Sequence, residues 1–258
     1  MVRPAWAGRL ASLYVTNARV ISVNVGRGKD AAWAGQLRRT AIDKRPVPGP
    51  VEVGWLGLAG DEQSDTENHG GREQALYAYG REDLDWWVER LSRELAGGMF
   101  GENITTGGVD VTGTLIGEIW QLGTAVVQVT SPRIPCVVFA GWLDEHHWVK
   151  RFASAGRPGA YLRVLEQGAV QAGDRLEVIS RPDERVTIAE SMIAYYGDAE
   201  LMRRLLRVAG RGTKWDEIAV AVLGQAVPAR GSDTLDPTAP AGQPPGHVAR
   251  PPVTGRGA

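Results

Sequence analysis

Three short stretches carry the side chains best suited to chemistry. Residues 128–136 read QVTSPRIPC and end at Cys136, the only cysteine in 258 residues. A strand-like run at 125–130 feeds this loop. Pro132 and Pro135 stiffen it, because proline fixes its own φ and restricts the residue before it. A thiol held on so little free backbone suits a group that must be aimed, although a lone cysteine also serves as a small buried apolar residue. Residues 68–71 read NHGG. Two glycines after His69 permit close backbone approach to a bulky ligand, which makes Gly70 and Gly71 candidates for that contact. The imidazole of His69, with an ordinary pKa near neutrality, is a candidate proton donor. Residues 40–47 read TAIDKRPV. Thr40 and Ile42 alternate as on a half-buried strand that Pro46, Pro48 and Pro50 end, so Lys44 falls where a side chain can project into a cleft.

Other polar residues are less specific. Residues 100–103 read FGEN, and a buried Glu102 or Asn103 in a glycine-flanked loop can hydrogen-bond a polar ligand or simply connect a helix to a strand. Arg163 alternates among apolar neighbours, so it either snorkels or answers a buried anion. His146 and His147 are adjacent. On a helix they diverge by about 100° and cannot chelate one ion, so they are expected at the surface.

These residues need elements to hold them. Residues 13–25 suggest two short strands, and 51–58 and 74–79 suggest further strands. Residues 81–95 show the clearest helix, with Leu84, Trp87, Val88, Leu91 and Leu95 on one face and Gly97–Gly98 as the stop. Two strands at 116–120 and 125–130 flank a glycine-bearing turn and deliver the chain to Cys136. Residues 142–152 read as a helix, and 159–164 and 170–179 as strands. From Thr187 the period becomes helical, with segments at 187–195, 198–208 and 213–223. Thr187 and Thr213 head capping-box patterns and Asp198 is a third cap. None of the three is long enough to be stable alone. The expected organisation is a β-rich body over 1–180, a three-helix appendage over 187–225, and a disordered tail over 228–258, where 7 of the 15 prolines fall.

Composition narrows the function classes. A net charge of −1 and a pI near 6.5 give no reason to expect nucleic acid or an acidic membrane as partner. One cysteine excludes an internal disulfide. No apolar run of about 18 residues is present to span a membrane, and residues 1–10 lack a signal-peptide core, so the cytoplasm is the expected location.

Taken together, Gly26, TAIDKRPV, the HGG at 69–71, FGEN at 100–103 and PRIPC ending at Cys136 resemble the MOSC proteins, named for the C-terminal domain of molybdenum cofactor sulfurases, and the YiiM-type members most of all. The resemblance covers roughly residues 12–225, about one domain plus an appendage. It implies a β-rich α+β fold with a MOSC-type β-barrel body and the small C-terminal three-helix appendage. It also implies binding of the molybdenum cofactor (molybdopterin) and reduction of N-hydroxylated compounds such as hydroxylaminopurines, a detoxifying activity, by a homodimer. No pyridoxal phosphate binding is expected. Carried over, the family's cysteine is Cys136, its histidine His69 and its lysine Lys44. A cysteinate is a soft ligand suited to a thiolate-rich molybdenum centre. His69 and Lys44 would assist the leaving hydroxyl as proton donors or cations. Arg133 and Arg163 would hold the cofactor's phosphate, and Asn103 with the Gly70 and Gly71 backbone its pterin edge. Asp43 departs from the pattern, since it could pair with Lys44. No flavin or iron–sulfur motif is apparent, so a separate electron-donor reductase is expected. Two alternatives remain open: a non-catalytic cofactor or sulfur carrier, and a Cys136–His69 hydrolase, which the lack of a nucleophile-elbow motif counts against.

Overall fold

A computed structural model describes residues 17–65 and 69–224. Eight strands form one sheet in the spatial order β13 (Leu176–Ser180), β9 (Ile119–Leu122), β10 (Ala125–Pro132), β11 (Ala160–Glu166), β7 (Leu76–Gly80), β8 (Ile104–Gly107), β1 (Arg19–Val25) and β4 (Arg45–Pro46). All neighbours run antiparallel except β7 and β8. Smaller sheets are built from β12 (Gly168–Val170), β5 (Val51–Gly54) and β6 (Gly57–Leu58), and from β2 (Lys29–Asp30) with β3 (Arg39–Thr40). The ends of the large sheet approach each other: Arg19 bridges Arg175, and backbone hydrogen bonds join Val20 to Asp174 and Leu176 to Ala18 at 2.9 and 3.0 Å. The fold is mixed α+β, with six α-helices among the described residues.

The helices divide between two apolar clusters. Helices α1 (Arg81–Leu91), α2 (Val137–Leu143) and α3 (Trp148–Ala155) share an aromatic cluster with β7 and β11. Tyr79, Trp87, Phe100, Phe139, Trp148 and Phe152 are nearly all fully buried there, each worth roughly 1.5–3 kcal/mol of transfer for an aromatic of phenylalanine size. Helices α4 (Ile188–Tyr195), α5 (Ala199–Arg207) and α6 (Lys214–Leu223) join the larger cluster, which also contains the interior of the sheet. Strand β10 is buried along 125–130 whatever the residue type, and its polar members Gln128 and Thr130 are satisfied there by the Gly117 and Tyr161 carbonyls.

Several expected elements change shape. The helix at 81–95 ends at Leu91, because Ser92 takes a left-handed φ of 50°, well before Gly97. The single helix at 142–152 is two helices. Asp144 and His147 both take left-handed backbone (φ 52° and 56°) and break the chain between α2 and α3, leaving His146 and His147 exposed in a turn. The strand at 40–46 is two short pieces, β3 and β4, separated by an irregular stretch. The strand at 51–58 is the β5–β6 hairpin, and the two strands at 13–25 become β1 alone, with 13–16 outside the described residues. Thr187 forms its capping box with Glu190, and Asp198 caps α5. Thr213 does not cap α6: its backbone is already helical, which withdraws the side chain from the N–H groups ahead. The expected tail at 228–258 lies outside the described residues.

Candidate active site

One cleft gathers the three stretches singled out above. Lys44, His69 and Cys136 line it, together with Asn103, Arg133, Asp61, Tyr161 and Gln74. Cys136 is the N-cap residue of α2, half-buried, its extended backbone (φ −128°) following Pro135. The aromatic cluster fixes α2 through Phe139 and Leu143. Trp142 Nε1, donating to the Met99 carbonyl at 2.8 Å, ties the same helix to the loop before Glu102. The direction of the thiol is therefore set by packing on one side and by two prolines on the other.

Lys44 is 8% exposed and donates to Asp61 Oδ1 at 2.5 Å. Burial pulls its pKa below the ordinary lysine value, and the Asp61 carboxylate acts against that pull. The expected Asp43–Lys44 pair does not form. Asp43 turns the other way and meets Lys29 at 2.5 Å and Arg45 at 2.6 Å. The chain turns at Asp43, where the Lys44 N–H donates to the Ile42 carbonyl at 2.9 Å, and Asp43 faces Lys29 and Arg45 while Lys44 faces Asp61.

Asn103 is held by its own bonds. Its Oδ1 accepts from the Tyr77 N–H at 3.2 Å and its Nδ2 donates to Asp61 Oδ2 at 2.9 Å. Glu102 is structural. Fully buried, it accepts from the N–H groups of Gly98 and Phe100 and from the Thr105 hydroxyl. Gly98 is required by proximity: at φ 85°, a Cβ there would sit 2.4 Å from the Lys44 carbonyl oxygen.

His69 Nδ1 lies 3.2 Å from the Tyr161 hydroxyl, and Arg133 Nη1 lies 3.5 Å from the same oxygen. Burial, and then the Arg133 cation, push His69 down to about 4. Its imidazole is neutral at pH 7, so in the resting site it takes part through hydrogen bonds. Tyr161 is pushed up by burial against the opposing pull of Arg133 and keeps its proton. Arg133 is 6% exposed and lies over the rings of Phe139 (4.6 Å) and Tyr77 (5.1 Å). Among the described residues no carboxylate pairs with it, and its Nε has no partner. A buried cation with free hydrogen-bonding capacity beside a thiol suits an incoming anion.

Two predicted contacts lie outside the cleft lining. Arg163 donates instead to the partly buried Glu73 Oε1 at 3.2 Å and to Gln128 Oε1 at 2.9 Å, so its fork is already engaged. Gly70 and Gly71 are not among the cleft-lining residues either. The positive φ of Gly71 (78°) serves a turn in which its N–H donates to Gln63 Oε1 at 2.9 Å. Asp61 and Tyr161 were missed. Asp61 is one acid among several in a polar stretch, and Tyr161 reads as an ordinary strand residue after Gly159.

Among the described residues no group of three or more His, Cys, Asp and Glu side chains is placed to hold a metal ion, and no helix is long and apolar enough to cross a membrane. A family model for the MOSC domain matches residues 65–177. The chain is 35% identical over 199 residues to the Bacillus subtilis protein YflK, covering 76% of this chain and 90% of that one. It is 32% identical over 167 residues to a protein of Gibberella moniliformis named a reductase, covering 63% of this chain but 29% of that one. The crystal structure of YiiM from Geobacillus stearothermophilus superposes with a TM-score of 0.68 at 30% identity, covering 80% of this chain and all of that one. With the motifs around Lys44, His69 and Cys136 converging on one cleft, and relatives of this identity and coverage, the chain belongs to the MOSC-domain family, beside YiiM and YflK.

Proposed function

We propose that the protein is a molybdenum cofactor-dependent reductase of N-hydroxylated compounds, hydroxylaminopurines among them. One observation carries this reading: the thiol of Cys136 opens into the same cleft as a buried arginine that meets no carboxylate among the described residues, a buried lysine and a neutral histidine. The donor set suits the cofactor. A metal that arrives with its own sulfur ligands needs one soft protein ligand, which Cys136 offers, and the absence of a multi-carboxylate or multi-histidine cage among the described residues is in keeping with that division. Arg133, with Nε unpartnered, would hold an anionic part of the same group. The family membership and the reductase-named relative support the oxidoreductase class.

When bound, the cofactor supplies the two electrons that N–OH reduction consumes. The chain's own residues supply the rest. The Lys44 ammonium faces the oxygen that leaves as water and offsets the negative charge growing on it. The Tyr161 hydroxyl, held by His69 Nδ1 on one side and Arg133 on the other, is a proton source within a hydrogen-bonded pair, and the neutral imidazole can pass a proton because one ring nitrogen accepts while the other donates. Tyr77 and Tyr161, their rings 5.1 Å apart, form an aromatic side of the cleft. We further propose a sheet closed into a barrel, a separate electron-donating reductase, a homodimer and a cytoplasmic location.

Metal analysis of protein from a cofactor-competent host tests the reading, alongside turnover of a panel of N-hydroxylated bases with dithionite as donor. The expected result is bound molybdenum and turnover in the wild type, both lost in Cys136→Ala. Wild-type protein without molybdenum, or Cys136→Ala with full metal and rate, would refute it. Cyanide-releasable sulfur on Cys136 without turnover would assign the protein as a carrier instead.

A further inference from the structure

We propose that Asp61 is the positioning residue of the site: it fixes the Lys44 ammonium over the cleft and keeps it charged there. Asp61 opens the cleft-lining stretch 61–65, a segment separate from those that carry Lys44, Asn103 and Cys136. Its carboxylate is nearly enclosed, with 4% of the side chain accessible, and every contact is to a donor. Oδ1 accepts from Lys44 Nζ at 2.5 Å and from the Gly26 N–H at 2.7 Å, and Oδ2 accepts from Asn103 Nδ2 at 2.9 Å. Three parts of the chain thus meet on one side chain, and all three carry motif residues picked out from the sequence. Gly26 and Asn103 hold the carboxylate from two directions, so Lys44 meets an anion that cannot swing away.

The lysine needs such a partner. An ammonium removed from water loses its charge unless an anion faces it. The charged groups facing Lys44 are Asp61, Arg133 and Glu102. Arg133 repels it. Glu102 accepts from Gly98, Phe100 and Thr105, and no bond from the lysine reaches it. Asp61 is therefore the one direct counter-ion of Lys44 among the described residues. Backbone packing adds a second constraint, since the Gly98 backbone lies against the Lys44 carbonyl and leaves the segment no room to retreat. The part of Lys44 in reduction rests on the function proposed above; the charge lock does not, and it is tested on protein without cofactor.

The measurement is the pH profile of lysine acylation by acetic anhydride, read peptide by peptide by mass spectrometry, with the exposed Lys150 as internal reference. In Asp61→Asn the midpoint of the Lys44 profile is expected to fall by at least about one pH unit, so that near neutral pH the reactive amine is roughly tenfold more abundant. Asp43→Asn, which alters the neighbour that pairs elsewhere, is expected to leave the Lys44 midpoint in place. An unchanged midpoint in folded Asp61→Asn overturns the proposal. If Asp61→Asn does not fold, Lys44→Met decides. Without its lysine the Asp61 carboxylate keeps the Gly26 and Asn103 donors but has no cation against it, so the stability lost relative to wild type should be greater at pH 8 than at pH 5. An equal loss at both overturns the proposal. Should the lock hold in protein that neither retains molybdenum nor reduces any hydroxylamine, the reductase reading fails and the role of Asp61 stands.

Discussion

Replacing Arg133 by methionine should move the titration of His69, and the structure fixes both direction and size. Arg133 Nη1 and His69 Nδ1 approach the same Tyr161 oxygen at 3.5 and 3.2 Å. They are thus at most about 6.7 Å apart, and at an effective dielectric of about 20 a unit charge at that distance contributes roughly 2.5 kcal/mol, or about 1.8 pH units. Water entering the open cleft reduces this, so a rise of roughly one to two pH units is expected. His69, now about 4, should titrate between about 5 and 6 in Arg133→Met, still below the ordinary value because burial remains. The consequence for stability follows from linkage. A histidine depressed in the folded state binds fewer protons there than in the unfolded chain between about pH 6.5 and 4. Its contribution is full above 6.5 and is lost as pH falls through about 4, a total of roughly 3 kcal/mol in the wild type and less in the variant. Ring-proton NMR titration reads the pKa directly; the chain has four histidines, and His69→Gln assigns the signal. A wild-type His69 that titrates near 6.5, or one unmoved by Arg133→Met, would refute this account of the site's electrostatics.

Glu102→Ala should cost about 3 kcal/mol or more in denaturant unfolding, because the Gly98 and Phe100 N–H groups and the Thr105 hydroxyl all lose their acceptor in a dry interior. Gly98→Ala should also destabilise, and at fixed fold should displace Lys44, so that a rise in KM larger than the loss of melting temperature predicts is the expected signature. Thr187→Ala removes a capping box far from the cleft. A loss of about 1 kcal/mol with unchanged turnover per folded molecule is expected from unfolding curves and assay together.

How far the site can be read from sequence depends on the kind of residue. Cys136, His69 and Lys44 stand out because glycine and proline flank them, and these two residue types report on backbone shape wherever they fall. They do share a cleft. Asp61 and Tyr161 carry no such local mark; their importance comes from what the fold brings against them, from residues 42 and 92 positions away. Arg133, in a proline-flanked loop, and Arg163, on a strand, are both cations available to an anion as far as sequence goes, and the Glu73 carboxylate beside Arg163 separates them. Among the elements, α4 and α5 were legible from their caps. The α2–α3 break was hidden because the apolar residues on either side of the Asp144–His147 turn keep a helical spacing while the backbone leaves the helix.

The indole of Trp215 donates to the carbonyl of Thr130 at 2.9 Å, on the strand that runs into the cysteine loop, and the Thr130 hydroxyl in turn donates to the Glu73 carbonyl at 2.6 Å. A protein is synthesised from its N-terminus. A nascent chain of this protein therefore has its thiol, imidazole and lysine outside the ribosome some eighty residues before the brace behind them exists. During that interval the strand that leads into the cysteine loop lacks the hydrogen bond that Trp215 supplies.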